Sequence, residues 1–426
     1  MRYLSLGLIV VLAAAAALIP APPGRTPSEP PSLRPPAVAV CPVEEGSGRT
    51  TVVPVLSTVD GEGGLTVFAG GDAIGSAGYR TGPSGATTID VVDVAAVGTA
   101  GALVETPIVS TAVGAVVLGS LSFSAEACSS TPERVALVAG GSTSGGHEFV
   151  VQLMNPFARE AVVDLVVQSD AGQESNERFT SMIIPARDSV IVDFTALIPG
   201  REAISVRIEA VEGRVLAVGR QVIDGGVAIW RAVAPAQDWF LPVPASEQDR
   251  KVIITNSSDA DVEYQVDLYG PEELEEGYVT GVLPAHGQVE IPLTPAGEGT
   301  LGVRVLSTGP VITTLWMETE SGIAVTTGIV DPATRWLLPG AGAPEEGRAV
   351  LVVMNPGLEG VTVTVRPLRP KSTVTIYEVG ADSLLEIELG AAAGYLVESA
   401  GPTLVMWMAT RLGAGAAAVG VPIQGG

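Results

Sequence analysis

The chain has 426 residues, 46% of them apolar but only 4% aromatic, and a formal net charge of −24, with a pI near 4.4. One hydrophobic core rarely serves that length, so several domains are expected. The acidic surplus opposes long-range attraction to a phosphate backbone or an anionic bilayer, which excludes nucleic acid as a natural partner.

Arg2 precedes an unbroken apolar stretch from Leu4 to Ile19, LSLGLIVVLAAAAALI, which reads as an export signal. Its 16 residues slightly exceed a usual signal core of roughly 7 to 15 and fall at the short end of what spans a bilayer. Residues 1–19 are therefore expected to be a signal peptide or a transmembrane helix, cleavable near Ala17 or Ala21 or retained as an anchor through residues 4–19. Cys41 lies too far from this stretch to be a lipidation site. Residues 20–37 are expected to form a Pro-rich linker, with eight prolines between Pro20 and Pro36. At ~3.1 Å per residue such a polyproline-type segment reaches roughly 50 Å.

Only two cysteines occur, Cys41 and Cys128. In an exported protein an isolated pair is most simply one disulfide. The loop it encloses is 128 − 41 = 87 residues.

Beyond the linker a pattern recurs about every 100 residues. Strands end in Asn at FVVQLMNP (Asn155), KVIITNSS (Asn256) and AVLVVMNP (Asn355), at intervals of 256 − 155 = 101 and 355 − 256 = 99. Asn can bond its own following backbone, and Pro156 or Pro356 then blocks a ladder. IPARDSV (184–190) aligns with LPAHGQV (283–289), and VGADSL (379–384) is their counterpart. Gly309-Pro310 and Gly401-Pro402 occupy one shared turn, and Trp239 and Trp336 mark module boundaries. Apolar residues alternate within a module, as at Val262, Tyr264, Val266 and Leu268, which is the period of half-buried strands. The second module shows seven such strands: 149–154, 162–168, 179–184, 189–194, 204–210, 215–223 and 227–233.

These features predict an all-β chain of tandem immunoglobulin-like β-sandwiches, with modules at 38–133, 134–237, 238–333 and 334–426. The first is assigned by length and patterning alone. Eight half-modules could instead be propeller blades, but the markers recur at 100 residues rather than 50. Each module is expected to close around its own thin aliphatic interior, as a string of compact units.

No chemistry stands out. His286 occupies the turn position held by Arg187, and His147 precedes a strand with no second ligand nearby. GEGTLG (297–302) matches the dinucleotide glycine pattern but lacks the following helix. GSTSG (141–145) centres on Thr143 and is no nucleophile elbow. Glu272, Glu273, Glu275 and Glu276 read as an exposed hairpin loop without metal-ligand spacing. Trp316 and Trp407 sit at matching repeat positions that suit core packing, whereas Trp230 is the better candidate for an exposed ring. No catalytic, cofactor-binding or metal-ligating residue is assigned.

With its leader, linker, Cys41-Pro42, the WFLP and WLLP boundaries and the LMNP and VMNP strand endings, the chain resembles an uncharacterised family of actinobacterial exported, membrane-anchored β-domain proteins. That resemblance implies a cell-envelope location and brings no activity. The expected function is a non-enzymatic extracytoplasmic scaffold or binding module, secreted or anchored through residues 4–19, with an envelope protein or polysaccharide as partner. A carbohydrate- or wall-polymer-binding protein would show exposed aromatic rings on a sheet face. A hydrolase would show a carboxylate-lined cleft between modules.

Overall fold

Alternation of Val with polar residues becomes strand wherever the period is two. In Val262–Tyr269, Val262 and Val266 are buried while Glu263 is exposed, and in Val361–Leu368 the buried Val363 and Val365 interleave with exposed Thr362 and Arg366. The computed structural model describes residues 37–423, apart from the short stretches 45–47, 83–84, 96–97, 107–109, 121, 131, 271–273 and 370–372. The leader, the linker up to residue 36, and Glu272 and Glu273 lie outside the described residues. Among those described, helix is limited to three 3-10 turns and the four-residue Phe194–Leu197, and no helix is long and apolar enough to cross a membrane.

Eight strands make the first sandwich: β1 (Ala37–Glu44), β2 (Arg49–Ser57), β3 (Gly61–Ala69), β4 (Asp72–Thr81), β5 (Ala86–Asp90), β6 (Thr99–Thr106), β7 (Thr111–Gly119) and β8 (Phe123–Ala127). All pairings are antiparallel, in two sheets ordered β4-β3-β6-β1 and β5-β2-β7-β8. The same order recurs three more times, over strands within 135–231, 236–327 and 333–422. The fold is thus a set of tandem immunoglobulin-like sandwiches. The second has two strands besides the seven expected, Val135–Gly141 and the short Gly172–Glu174, and Phe179 sits in a 3-10 turn rather than a strand.

Gly309-Pro310 does not end a strand as expected. Leu301–Thr319 runs through it as one 19-residue strand that serves as both β6 and β7. Its first part pairs with Ala236–Val243 and Val262–Tyr269, and its second part with Arg250–Asn256 and Gly322–Thr327. Pro310 has no N–H to offer, so it fits the point where the strand changes sheets. Gly394–Arg411 repeats this at Gly401-Pro402.

The terminal Asn is a clamp. Asn256 Nδ2 donates to the carbonyls of Ala260 (2.8 Å), Leu283 (3.3 Å) and Pro284 (2.9 Å), while its Oδ1 accepts from Ser258 N (3.0 Å). Asn155 and Asn355 make the same set. Each ties the loop after its strand to the turn that holds Arg187, His286 or Asp382, all three in left-handed backbone (φ 53°, 57° and 45°). In the first sandwich Ser57 stands there instead, and its Oγ accepts from Val59 N (3.3 Å) and Thr111 Oγ1 (3.4 Å) without tying the two loops together.

The sandwiches do not form a string. Residues 36–426 cluster as one compact unit, and the main hydrophobic cluster joins Phe123 and Ala125, Leu137 and Ala139, and the interiors of the third and fourth sandwiches. The outer β1/β6 sheet of each sandwich packs on the outer β2/β7 sheet of the next. Val40 and Phe68 meet Met154 and Val218, and Gln152 Nε2 donates to Ala100 O (2.7 Å). A Cβ on Gly140 would stand 3.1 Å from Ile253 Cδ1, and one on Gly302 would stand 3.0 Å from Leu384 Cδ2. The fourth sandwich returns to the first: Leu337, Leu368 and Leu396 pack on Leu56, Ala86 and Ala112. Head-to-tail contacts of this kind generate a ring when the rotation closes.

At the centre, β8 lies against Gly226–Arg231, that strand against Gly322–Thr327, that one against Ala414–Val419, and the last against β8 again. The hairpin turns that precede these strands meet. Ser122 Oγ donates to Gly225 O (2.9 Å), Ser321 N to Gly413 O (3.0 Å) and Arg411 Nη1 to Gly119 O (3.1 Å). A Cβ on Gly226 would stand 2.4 Å from Ser321 O, so only glycine fits there. Edge strands that would otherwise be free templates are hidden in this way.

Cys41 and Cys128 are disulfide-bonded, 87 residues apart. The bond joins β1 to the chain just after β8, beside the Val40–Ser129 bridge; Leu137–Val233 and Phe240–Ile329 are the counterparts of that bridge. Replacing both cysteines by Ser is expected to cost about 4.5 kcal/mol, from the loop entropy returned to the unfolded chain. Asn256→Ala leaves three carbonyls without their donor and is expected to cost roughly 2 kcal/mol. Denaturant midpoints of the two variants against the unmodified protein check both figures.

Candidate functional site

The seams between sandwiches can be compared position by position, because the sheet register fixes which residues correspond. Five residues before the clamp Asn stand Val150, Lys251 and Val350, and opposite them on the β7 counterpart stand Arg220, Trp316 and Met408. Three residues before the Asn, the neighbours on the β5 counterpart are Ile191, Glu290 and Glu386. Trp316 therefore corresponds to Met408 and not to Trp407 as the repeat suggested. A one-residue slip reverses the face of a strand. Trp407 accordingly points into its own core, while Trp316 points into the seam with the second sandwich.

Four equivalent places are filled in four ways. Between first and second, Arg220 Nη1 pairs with Glu44 at 2.8 Å. Between fourth and first, Gly340 backs on Val116, where an added Cβ would stand 2.7 Å from Cγ2. Between second and third, Lys251 lies over the Trp316 ring at 5.3 Å and pairs with Glu290 at 2.7 Å, which leaves a residual cavity of about 70 Å³. Between third and fourth no side chain closes the gap, and a cleft of about 640 Å³ remains.

The third sandwich lines this cleft with Glu247, Glu298, Glu318 and Glu320, and the fourth adds Glu386 and Arg348, with Val350 and Met408 among the apolar lining. Glu386 bridges the two: Oε2 accepts from Ala245 N (2.8 Å) and Thr300 Oγ1 (2.6 Å), and Oε1 faces Arg348 Nη2 at 3.5 Å. The wall is held from beneath by Arg250, 2% exposed, whose guanidinium donates to the carbonyls of Pro244 (2.7 Å), Gly299 (2.9 Å) and Gly297. Burial pushes its pKa below the usual guanidinium range, with Glu386 and Glu298 opposing the shift. Five carboxylates around a single Arg favour a positively charged or hydrogen-bond-donating guest.

GEGTLG contributes to this wall. Gly297 follows the 3-10 turn Thr294–Ala296 and leads into a strand. It offers carbonyls to Arg250 rather than amides to a phosphate. Among the described residues no group of three or more His, Cys, Asp or Glu could hold a metal ion. His286 lies in its turn, with Nε2 2.9 Å from Asp259 Oδ1. His147 Nδ1 stands 3.1 Å from Ser142 Oγ beside the smaller cavity. That hydroxyl already donates to Arg201 O (3.1 Å) and accepts from Ser144 N (3.3 Å), so it fastens a loop and is not a primed nucleophile. Glu275 and Glu276 lie on strand Leu274–Leu283, exposed, rather than in a loop.

Trp230 is not the exposed ring expected. It is 0% exposed, stacks on Phe149 with centroids 5.9 Å apart, and donates from Nε1 to Ala139 O (3.0 Å). All five tryptophans are buried, so no aromatic platform is built from them. Sequence reading missed the open cleft. Its one signal was the acidic residues Glu247, Glu298, Glu318 and Glu320, on loops and a strand end that nothing in the pattern brought together.

Comparison with known proteins adds a family. Residues 91–328 and 224–402 match the profile of a family of unknown function, DUF5719; the overlap of the two matches suits a recurring pattern. No curated protein matches. Among solved structures, Thermotoga maritima 1070 is 15% identical with a TM-score of 0.20, covering 22% of this chain and 95% of that chain. A tetra-tandem repeat from the extending region of a large adhesion protein is 12% identical with a TM-score of 0.11, covering 90% and 98%. The FN1–FN3 domains of chicken CNTN1 are 11% identical with a TM-score of 0.11, covering 66% and 94%. Scores this low leave the fold to be read from the sheets themselves. The match over residues 91–328 alone spans more than half of the chain, which belongs to the DUF5719 family of unknown function.

Proposed function

We propose that this protein is a non-enzymatic, extracytoplasmic component of the cell envelope, a rigid binding module whose contact site is the cleft between the third and fourth sandwiches. The carrying observation is that three of four equivalent seams are plugged, by Arg220–Glu44, by Lys251 on Trp316, and by Gly340 on Val116, while the fourth is left open at about 640 Å³. That volume falls in the range of about 300 to 1,000 Å³ used for small-molecule or side-chain recognition. An envelope protein or polysaccharide carrying a cationic group fits its carboxylate walls.

Two further features support the placement. A disulfide suits an oxidising compartment, and residues 4–19 suit export or anchoring to the plasma membrane. The linker joins β1 at Ala37, opposite Thr106, which is the end of the first sandwich away from its β7–β8 turn. The cleft opens beside the equivalent turns, at Glu320 and Gly413. The carbohydrate-binding reading loses its named candidate ring with the burial of Trp230, and the other four tryptophans are buried too.

The test is recovery from cross-linked envelopes with residues 37–426 and with the double variant Glu318→Lys/Glu320→Lys, both of whose side chains are exposed. One protein or polymer should be recovered reproducibly by the first and lost from the second. Equal recovery, or recovery of nothing, would contradict the cleft as the contact site. Breakdown of a recovered polymer on incubation would favour a hydrolase with residues drawn from two sandwiches.

A further inference from the structure

The seam between the first and second sandwiches contains a carboxyl group that no binding role uses. The free edge of Gly226–Arg231 points its amides at β8, and side chains of β8 take them: Ile229 N donates to Ser124 Oγ (2.9 Å) and Arg231 N to Glu126 Oε2 (3.1 Å). Glu126 Oε1 also accepts from Ala127 N (2.7 Å). Glu126 is 2% exposed. The two other strands packed on β8 are Thr111–Gly119, TAVGAVVLG, and Ala414–Val419, AGAAAV, and neither carries a titratable side chain. From Gly226–Arg231 only Arg231 faces it. Among the described residues Arg231 is the charged group that acts on this carboxyl, and its own Nε is buried without a hydrogen-bond partner.

We propose that Glu126 is an acid-tightened latch: the seam between the first two sandwiches holds most firmly in acidic medium and loosens as the medium becomes alkaline. A carboxyl removed from water, with two backbone donors but no ion pair, is penalised when it ionises. Burial holds it above the ordinary carboxylate range, and the Arg231 charge and the two amides offset this only in part. The sign follows from linkage. A carboxyl raised in the folded state contributes stability that is fully present below its unfolded pKa, and the contribution is lost as pH rises through the folded value. The other three seams place Trp230, Thr326 and Ala418 at the position of Glu126, by their hairpin registers, and carry no such group.

Hydrogen exchange of the full-length protein tests this, corrected for the intrinsic effect of pH on exchange. Protection of the Gly226–Arg231 amides should fall at least several-fold between pH 5 and pH 8, while that of Ala414–Val419 stays level. Glu126→Gln, which cannot ionise, should flatten the first profile. Ser124→Ala should lower protection at every pH without changing the slope. An unchanged slope in Glu126→Gln would overturn the latch. If that variant does not fold, the unmodified protein still decides, because a parallel fall in both segments would assign the effect to the whole ring.

Discussion

A sheet that is apolar on both faces has to be covered twice, and the sheet built on β2 and β7 is of this kind in every sandwich. In Gly347–Asn355 the seven residues from Ala349 to Asn355 are all buried, as are the seven from Phe149 to Asn155, and in Arg250–Asn256 the five from Val252 to Asn256. One face fills the sandwich. The other would face water if the sandwiches were strung out, exposing residues such as Met154, Ile253 and Met408. Packing it on the β1/β6 sheet of the preceding sandwich removes that surface from water, and repeating the operation four times returns to the start. The ring is thus a consequence of two-sided sheets, as in layered folds where strands covered on both faces read as continuous apolar runs.

Closure also settles the edges. The β8-type strands meet at the centre, where backbone amides are taken by neighbouring side chains and where glycines at the turns let carbonyls approach. The β1-type strands are sealed by the short bridges to the chain after β8, and in the first sandwich by the disulfide. What remains variable is the filling of each seam, since a pseudo-symmetric ring needs its seams closed but does not dictate by what. An ion pair, a cation on a ring, a glycine against valine and an open acidic cleft are four solutions at one position. The last is the one that leaves room for something outside the chain.

Much of this was legible in the residues. The Asn at the end of three β2-type strands announced its bond to the backbone that follows, and the turn position shared by Arg187 and His286 followed from their alignment. The first sandwich was hard to align because Ser57 replaces that Asn and makes only one of its bonds. The ring was missed although its signal was printed in KVIIT, AVLVVM and FVVQLM: such runs do not alternate, and period two was the pattern sought. Trp230 was misplaced because its position between Ile229 and Arg231 gives no clue to which face is inward. Trp316 and Trp407 were equated because a shift of one residue is invisible in a loose repeat yet turns a side chain to the other face. The cleft could not be seen, since its walls come from loops and strands that approach only when the third and fourth sandwiches pack.

The central claim is closure, and small-angle X-ray scattering of residues 37–426 measures it most directly. A closed ring predicts the scattering of one compact body, with a radius of gyration of about 21 Å for a unit of this size. An elongated profile with a markedly larger radius, as four sandwiches in a row would scatter, would contradict the account.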